Sequence, residues 1–247
     1  MGKSVKQTLS VIGLGRFGSF WAKEFSRFFD VFVFDSDEKK LAPAEEFATA
    51  ISLEKALQSD YIYLTIPIRA IEDFLIKNAS LIGENSVLID AASIKTPVVG
   101  WFEKHLRGKR EFMFTHPLFG PDSGANGLNG LSIAVFPGEI AYSKYKRIID
   151  AFEAAKLNVL ALTADEHDYL MAYNLNLIHL LGRALAGMGI AKIPLKMNAL
   201  TYLNGMSRYV VNDSRILFED FFRFNPYAEK IKTDLIKNLN EILKTLP

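Results

Sequence analysis

Cysteine is absent from this chain of 247 residues, and neither sign of charge is in excess. Without thiols the chain cannot form disulfides, a catalytic thiolate or a cysteine-ligated zinc site, and the absence fits a reducing compartment. The 29 Lys and Arg residues offset 28 Asp and Glu residues, which leaves a net charge of +1. Because general nucleic-acid binding requires an excess of basic residues, we expect no nucleic-acid partner.

Long hydrophobic runs are absent as well. Residues 1–7 are polar, and the apolar run Leu9–Leu14 that follows is interrupted by glycine. This run is far shorter than the roughly 20 apolar residues that a membrane-spanning helix needs. We therefore expect no signal peptide, no membrane anchor and a cytoplasmic location.

Short runs of β-branched and aromatic residues alternate with longer amphipathic stretches over the first two thirds of the chain. Some runs, such as Val31–Phe34, are apolar at consecutive positions, which is typical of strands covered by helices on both faces. The alternation predicts parallel strands joined by crossover helices. The predicted strands are Leu9–Leu14, Val31–Phe34, Tyr61–Ile66, Ser86–Asp90, Phe112–His116, Ser132–Phe136 and Val159–Thr163.

The strand pattern stops after Thr163, and the remaining sequence is typical of helices punctuated by glycine and proline. The sequence therefore predicts an α/β protein with two domains. Residues 1–164 form a doubly wound, mostly parallel sheet, and residues 165–247 form an all-helical domain. The aromatic residues of the helical part are expected to serve helix packing and a subunit interface.

A glycine-rich turn follows the first predicted strand and leads into a helix-compatible stretch, Ser19–Arg27. Its sequence, Gly13-Leu14-Gly15-Arg16-Phe17-Gly18, is the dinucleotide fingerprint of Rossmann-type domains in its proper context. In that fingerprint the glycines allow a tight turn, close approach of a pyrophosphate and close helix packing, with the diphosphate at the helix N-terminus. The strand-end turn Thr65-Ile66-Pro67 is expected beside the same cofactor.

Asp35 ends the second predicted strand, near the spacing of about 20 residues at which a ribose-binding acid is expected. Its carboxylate would accept hydrogen bonds from the ribose and repel a 2′-phosphate, which favours NAD over NADP. Ser36, Lys39 and Lys40 lie close enough in sequence to weaken that preference, so NADP stays possible. The candidate cofactor-binding residues are Gly13, Gly15, Phe17, Gly18, Asp35, Thr65 and Pro67.

Polar segments follow two later strands, at the sheet edge where active sites of open α/β sheets lie. They are Asp90-Ala91-Ala92-Ser93-Ile94-Lys95 and Thr115-His116-Pro117-Leu118-Phe119-Gly120-Pro121-Asp122-Ser123-Gly124. Here the chain resembles the prephenate and arogenate dehydrogenase family, which places a D-x-x-S-x-K segment and an H-P-x-F/A-G segment at these strand ends. The resemblance begins with the fingerprint and continues into Glu166-His167-Asp168 and Asn174–Arg183, so it spans both predicted domains.

The resemblance implies oxidative decarboxylation of a small cyclohexadienyl acid, prephenate or arogenate, on the route to tyrosine. Hydride leaves ring carbon C4 for the nicotinamide, the C4 hydroxyl loses its proton, and carbon dioxide departs as the ring becomes aromatic, with no metal required. His116 is the catalytic candidate, because a neutral imidazole accepts a hydrogen bond and the ordinary histidine pKa of about 6.5 lies near working pH. Family members usually form dimers through their helical domains, which implies a homodimer here.

Ser93 is the second catalytic candidate, since by resemblance it donates a hydrogen bond to the imidazole or to the C4 oxygen. Its alternative role is the N-cap of the predicted helix Thr96–Leu106. By resemblance Arg208 binds the ring carboxylate, with Arg215 as its competitor, and His179 contacts the side chain of the substrate.

Three further residues receive other expectations. His167 and His179 lie 12 positions apart, so one α-helix would not place both on the same face, and His167 is expected to be a capping or hinge residue. A metal site shared by the two is disfavoured for the same reason. Lys95 and Arg183 are candidates for charges that support the site from behind its contacting residues, but the more common solvated position is expected for both.

Two functions of other classes stay open. Reductases of β-hydroxy acids or imines share the architecture but typically carry a catalytic lysine on the first helix of the helical domain, and no lysine lies between Ala164 and Gly182. A regulatory module that binds NAD without turnover is the other alternative, and the histidine-bearing loop argues against it.

Overall fold

The computed structural model describes residues 6–194 and 197–247. Residues 1–5, which belong to the polar start of the sequence, lie outside the described residues. The chain divides into two compact units, Met1–Thr163 and Ala164–Pro247. Among the described helices, none combines the length and the apolar character that crossing a membrane would require.

Strands and helices alternate in the first unit, and its described strands form a single sheet. The strands are β1 (Thr8–Ile12), β2 (Asp30–Phe34), β3 (Thr49–Ala50), β4 (Tyr61–Leu64), β5 (Val87–Asp90), β6 (Glu111–Pro117), β7 (Ser132–Phe136) and β8 (Asn158–Ala161). Their order across the sheet is β3-β2-β1-β4-β5-β6-β7-β8, and every pairing is parallel except that of β6 with β7. The predicted doubly wound, mostly parallel sheet is confirmed.

The strand order reverses between β1 and β4, because the chain first builds outward from β1 to β3 and then returns to the other side of β1. At such a switch point the loops that follow the two neighbouring strands diverge and leave a crevice at the carboxyl edge of the sheet. The glycine-rich turn follows β1 and Thr65 follows β4, so both lie at this point.

Aromatic packing anchors the first helix of this unit to the sheet. The helices are α1 (Arg16–Phe25), α2 (Leu53–Ala56), α3 (Ile68–Asn78), α4 (Thr96–Leu106) and α5 (Tyr142–Ala154). The buried Trp21 ring of α1 lies 4.5 Å from Phe25, 5.7 Å from Tyr63 of β4 and 6.3 Å from Phe152 of α5, measured between ring centroids. Such pairs contribute about 0.5–1.5 kcal/mol each beyond their burial, so the helix that carries the fingerprint is held firmly.

Three local features differ from the prediction. Helix α1 begins at Arg16, inside the fingerprint, rather than at Ser19. Strands β6 and β7 are joined by residues 118–131 without an α-helix, and their pairing is antiparallel because no crossover returns the chain to the opposite edge. The edge strand β3 was not predicted, since two residues are too short to show a pattern.

Every regular element in the described part of the second unit is helical, as predicted. The helices are α6 (Ala164–Met171), α7 (Ile178–Gly187), α8 (Asn198–Val211), α9 (Arg215–Phe224) and α10 (Ala228–Lys244), and a π-helical turn, Ala172–Leu177, joins α6 to α7. Gly182 lets α7 and α8 approach closely, because a Cβ at that position would lie 2.7 Å from Val210 Cγ2 and 2.8 Å from Met206 O.

Candidate active site

The glycine-rich turn after β1 is fixed by hydrogen bonds to both neighbouring strands. Gly13 adopts a φ of +103°, which favours glycine, and its N–H donates to Phe34 O of β2 at 2.8 Å. On the other side, Thr65 Oγ1 donates to Gly13 O at 2.6 Å. These hydrogen bonds fix the shape of the turn.

The other two fingerprint glycines differ in their surroundings, because Gly18 is crowded and Gly15 faces open space. A Cβ on Gly18 would lie 1.9 Å from Gly13 O and 2.6 Å from Thr65 Oγ1, so only glycine fits. A Cβ on Gly15 would meet nothing within 4 Å, and this exposed residue directly precedes α1. Open space beside the backbone at a helix N-terminus is what a diphosphate requires, so these residues fit a dinucleotide.

Substitution of Gly15 and of Gly18 is expected to have different effects on stability and on NADH binding. We expect Gly18→Ala to lower the free energy of unfolding by roughly 1–3 kcal/mol through overpacking and to weaken NADH binding. Gly15→Ala should weaken NADH binding while leaving unfolding unchanged, because its Cβ enters only the open space. Urea unfolding and NADH titration of both variants test this. Gly100→Ala on α4, whose Cβ also meets nothing within 4 Å, is the control for NADH binding. Equal stability losses at Gly15 and Gly18 would contradict the assignment.

Asp35 lies directly after β2 and is held from several directions. Its Oδ2 accepts the Leu14 N–H at 2.6 Å, and its Oδ1 accepts the Asp37 N–H at 2.8 Å. The Lys40 ammonium lies 3.3 Å from each oxygen. Burial acts to raise the pKa of the Asp35 carboxyl, but the two backbone N–H groups and Lys40 together hold that pKa below its usual value.

The remaining candidate cofactor residues lie next to the same turn. The backbone of Thr65 and Cγ2 of Ile66 lie about 3.0 and 2.9 Å from where a Cβ on Gly13 would be. Pro67 is exposed and directly precedes α3, and the Phe17 ring stacks on Trp21 at a centroid distance of 5.4 Å. The Thr65 hydroxyl is thus used to shape the turn, and its contact with a cofactor stays a prediction.

His116 lies near the end of β6 and is 8% exposed. Strand β6 runs past the end of β5, because Asp90, the last residue of β5, is paired with Phe114. Ser93 follows β5 in the adjacent loop and is partly exposed. Both residues therefore lie at the carboxyl edge of the sheet, the same edge as the fingerprint turn.

Lys95 is completely buried, so the expectation of a solvated lysine is wrong. Its ammonium contacts Asp90 Oδ2 at the end of β5 and donates to Thr115 O at 2.7 Å. Thr115 Oγ1 in turn donates to Asp90 O at 2.7 Å. Burial raises the pKa of the Asp90 carboxyl, and the ammonium opposes that rise. These bonds tie the Ser93 loop to the residue that precedes His116.

The N-cap alternative for Ser93 is also wrong. The N-cap of α4 is Lys95, and no side chain caps this helix end through a hydrogen bond. Ser93 lies two residues before that cap, in the loop itself, where its hydroxyl is not required by the helix.

An ion pair connects the fingerprint helix with the histidine-bearing loop. Arg16 Nη2 lies 2.6 Å from Asp122 Oδ1, with both side chains more than half exposed. Nearby, the Phe20 and Phe119 rings pack edge to face at 6.4 Å. The loop that follows His116 therefore packs on the helix expected to hold the diphosphate.

His179 is fully buried on α7 in the helical unit. Its ring packs against Phe218 and Phe221, at centroid distances of 6.0 and 5.0 Å. Nε2 lies 3.3 Å from Asp213 Oδ2, yet within the described residues neither ring nitrogen makes a well-aligned hydrogen bond. Arg183 donates to Asp213 O at 3.0 Å and stacks on Phe218 at 4.6 Å, so the expectation of a solvated Arg183 is wrong too.

The two candidate arginines differ in their partners. Arg208 is exposed on α8 and forms no hydrogen bond or ion pair with any residue that the structure describes. Arg215, at the start of α9, is engaged by Glu219, with Nε 2.9 Å from Oε1. Within the part of the helical unit that the structure describes, the Arg208 guanidinium makes no hydrogen bond or ion pair, whereas that of Arg215 does.

His167 lies inside α6, fully buried, with Nδ1 2.9 Å from Asp168 Oδ1, so it is not a capping residue. The angular argument about His167 and His179 assumed one regular α-helix, and the π-helical turn between them makes that argument wrong. Among the described residues, no cluster of three or more His, Asp or Glu side chains is placed to hold a metal ion.

Comparison with known proteins finds a family model and several relatives that this chain resembles. A family model described as the prephenate dehydrogenase nucleotide-binding domain matches residues 25–134. Arogenate dehydrogenase 2, chloroplastic, of Arabidopsis thaliana is 25% identical over 97% of this chain and 73% of its own length. The chain is therefore similar to the prephenate and arogenate dehydrogenases, and the family model covers less than half of it. A probable arogenate/prephenate dehydrogenase of Methanocaldococcus jannaschii is 24% identical over 98% of this chain, which spans 58% of that relative.

Solved structures share the fold of this chain. Prephenate dehydrogenase of Aquifex aeolicus, in complex with hydroxyphenyl propionate and NAD+, superimposes with a TM-score of 0.77 at 20% identity, over 98% of this chain and 91% of that chain. An imine reductase of Myxococcus stipitatus superimposes less closely, with a TM-score of 0.57 at 16% identity, over 84% of this chain and 73% of that chain.

The match to a nucleotide-binding domain agrees with the dinucleotide fingerprint that follows β1. Sequence reasoning missed three contacts around the candidate site: Arg16 with Asp122, Lys95 with Asp90, and His179 with Asp213. Only the second carried a signal, since both of its charges lie in the D-x-x-S-x-K segment. The other two join residues that are far apart in sequence.

Proposed function

We propose that this chain converts prephenate to 4-hydroxyphenylpyruvate by NAD-dependent oxidative decarboxylation. Arogenate, which would yield tyrosine directly, is the alternative substrate. The observation that carries the proposal is the place of His116, a nearly buried imidazole at the carboxyl edge of the sheet that carries the fingerprint. Oxidation of an alcohol needs an acceptor for the hydroxyl proton, and a histidine suits that task.

The chemistry divides between the cofactor and the chain. When bound, the nicotinamide supplies the acceptor for the hydride of ring carbon C4. His116 accepts the C4 hydroxyl proton, and Ser93 orients the same oxygen. Loss of carbon dioxide then returns an electron pair through the ring to the C4 oxygen, which takes the proton back as a phenol. His116 thereby ends in its starting protonation state, and formation of the aromatic ring drives the reaction.

The acid groups of the substrate are assigned to the helical unit. Arg208 is proposed to bind the ring carboxylate, because an arginine fork suits a carboxylate and its guanidinium has no partner among the described residues, whereas Arg215 is engaged by Glu219. His179 is proposed to contact the side chain of the substrate. A buried imidazole without good hydrogen bonds is costly, and a polar ligand would offset that cost.

The reductase alternative remains disfavoured by the residues of the first helices of the second unit. Reductases of this architecture typically rely on a lysine there, and neither α6 nor the π-helical turn contains one. The alternative of a non-catalytic NAD-binding module is disfavoured by the buried His116 and by the loop after it, which packs on α1. Each alternative predicts a distinct outcome in a turnover assay.

A substrate panel tests the proposal directly. We expect the purified chain to reduce NAD with prephenate or arogenate, with the larger kcat/KM for prephenate, and to release one carbon dioxide per cofactor reduced. Turnover of 3-hydroxy acids alone would establish the reductase class. NADH binding with no turnover of any acid would establish the binding module, and both results would overturn the proposal.

A further inference from the structure

The carboxylate of Asp35 has little capacity left for a ligand. A carboxylate offers about four lone-pair positions, two on each oxygen. One position on Oδ2 is taken by the Leu14 N–H and one on Oδ1 by the Asp37 N–H. The Lys40 ammonium bridges the two oxygens at 3.3 Å from each. A ribose that donates to Asp35 must therefore displace or share this ammonium.

The backbone sets the position of Lys40. Residues Glu38–Lys40 form a single 3-10 turn, and Asp37 caps it by accepting the Lys39 N–H through Oδ1 at 3.2 Å. The Lys40 N–H donates to Asp37 O at 3.0 Å. Because Asp37 also donates its own N–H to Asp35, the turn and the acid are held together. The ammonium is thus placed over the acid by local structure, and its side chain is still 44% exposed.

The ion pair of Asp35 with Lys40 affects the binding of NAD and of NADP differently. A bare aspartate at this position repels the 2′-phosphate of NADP through the like charge. The ammonium over Asp35 offsets that charge and offers a donor to phosphate oxygens, while the backbone N–H groups keep the acid in place. Charge-assisted hydrogen bonds of this type are among the strong ones.

We infer that Lys40 is the specificity-determining residue of the adenine-ribose site, where its ion pair with Asp35 admits a 2′-phosphate and lets the chain bind NADP(H) as well as NAD(H). The inference rests on the proposed dinucleotide site and refines its cofactor preference. Asp35 still favours NAD(H), and Lys40 reduces the difference in affinity between NAD(H) and NADP(H).

Direct titration of NADH and NADPH, without substrate, tests the inference for the wild-type chain, Lys40→Gln, Lys40→Arg and Lys39→Gln. We expect Lys40→Gln to lose roughly tenfold or more in NADPH affinity, as for removal of one charged hydrogen bond, with NADH affinity unchanged or higher. Lys40→Arg should retain NADPH binding. Lys39→Gln is the matched control, because it removes an exposed charge from the same turn and should leave the NADPH to NADH ratio much closer to wild type.

Several outcomes would overturn the inference. One is a wild-type chain that binds NADH but not NADPH, and another is a Lys40→Gln variant that loses both cofactors equally. If Lys39→Gln and Lys40→Gln lowered NADPH affinity equally, the preference between NADPH and NADH would depend on general surface charge and not on Lys40. Failure of the wild-type chain to bind either dinucleotide would overturn the proposed dinucleotide site as well, whereas the other outcomes leave that site intact.

Discussion

Replacement of His116 by asparagine is expected to lower kcat by about 10²–10⁴-fold, the usual contribution of a positioned general base. Asparagine retains a hydrogen-bonding amide of similar size, but it cannot take the hydroxyl proton as hydride leaves. NADH affinity should stay near the wild-type value, because the dinucleotide is assigned to the fingerprint turn and Asp35, which are other parts of the sheet edge. The measurements are steady-state kinetics with prephenate and fluorescence titration with NADH.

A second histidine of the same unit provides the control. His105 lies on α4, near Glu72 with Nε2 3.6 Å from Oε1, and it is not assigned any role in the reaction. His105→Asn should therefore leave kcat close to that of the wild type. If His116→Asn lost NADH binding as severely as turnover, the imidazole would be a structural residue and the catalytic assignment would fail.

The architecture could be predicted from sequence because it depends on patterns that are local in the chain. The consecutive apolar residues of β4 are buried on both faces, whereas in β2 the buried Val31 and Val33 alternate with the half-buried Phe32 and Phe34. The glycines at 13, 15 and 18 reflect the turn that follows β1. The edge strand β3 and the antiparallel pairing of β6 with β7 were missed. Both depend on contacts between segments, which periodicity does not record.

The candidate site was predictable in its residue types but not in their partners. Asp35 was selected by its place at a strand end, yet the bridging position of Lys40 depends on a 3-10 turn capped by Asp37. Lys95 was expected in solvent because lysine is rarely buried, and only the packing of β5 beside β6 reveals its partners. The roles of Ser93, His116, His179 and Arg208 stay predictions.

The buried pair of Lys95 and Asp90 predicts the largest effect on stability. We expect Lys95→Met to lower the free energy of unfolding by about 3–5 kcal/mol, since removing one partner leaves the other charge buried without compensation. Asp90 depends on this partner, because its Oδ1 has no hydrogen bond among the described residues and both side chains are fully buried. Urea unfolding, followed by tryptophan fluorescence, measures the loss.

A double variant separates the charge effect from the loss of packing. Asp90→Asn combined with Lys95→Met removes both charges, and the asparagine oxygen can still accept the Ala92 N–H that Asp90 Oδ2 accepts at 2.9 Å. We expect this variant to recover most of the stability lost in Lys95→Met, because an uncharged pair has no buried ion to solvate.

The matched control is Lys104→Met, in which the same substitution breaks an exposed ion pair with Glu72 on α4 and α3. Because solvent screens such pairs, its unfolding curve should barely change. A Lys95→Met variant as stable as Lys104→Met would mean that the buried pair does not hold the Ser93 loop against Thr115. The position of the neighbouring His116 would then not depend on the buried pair.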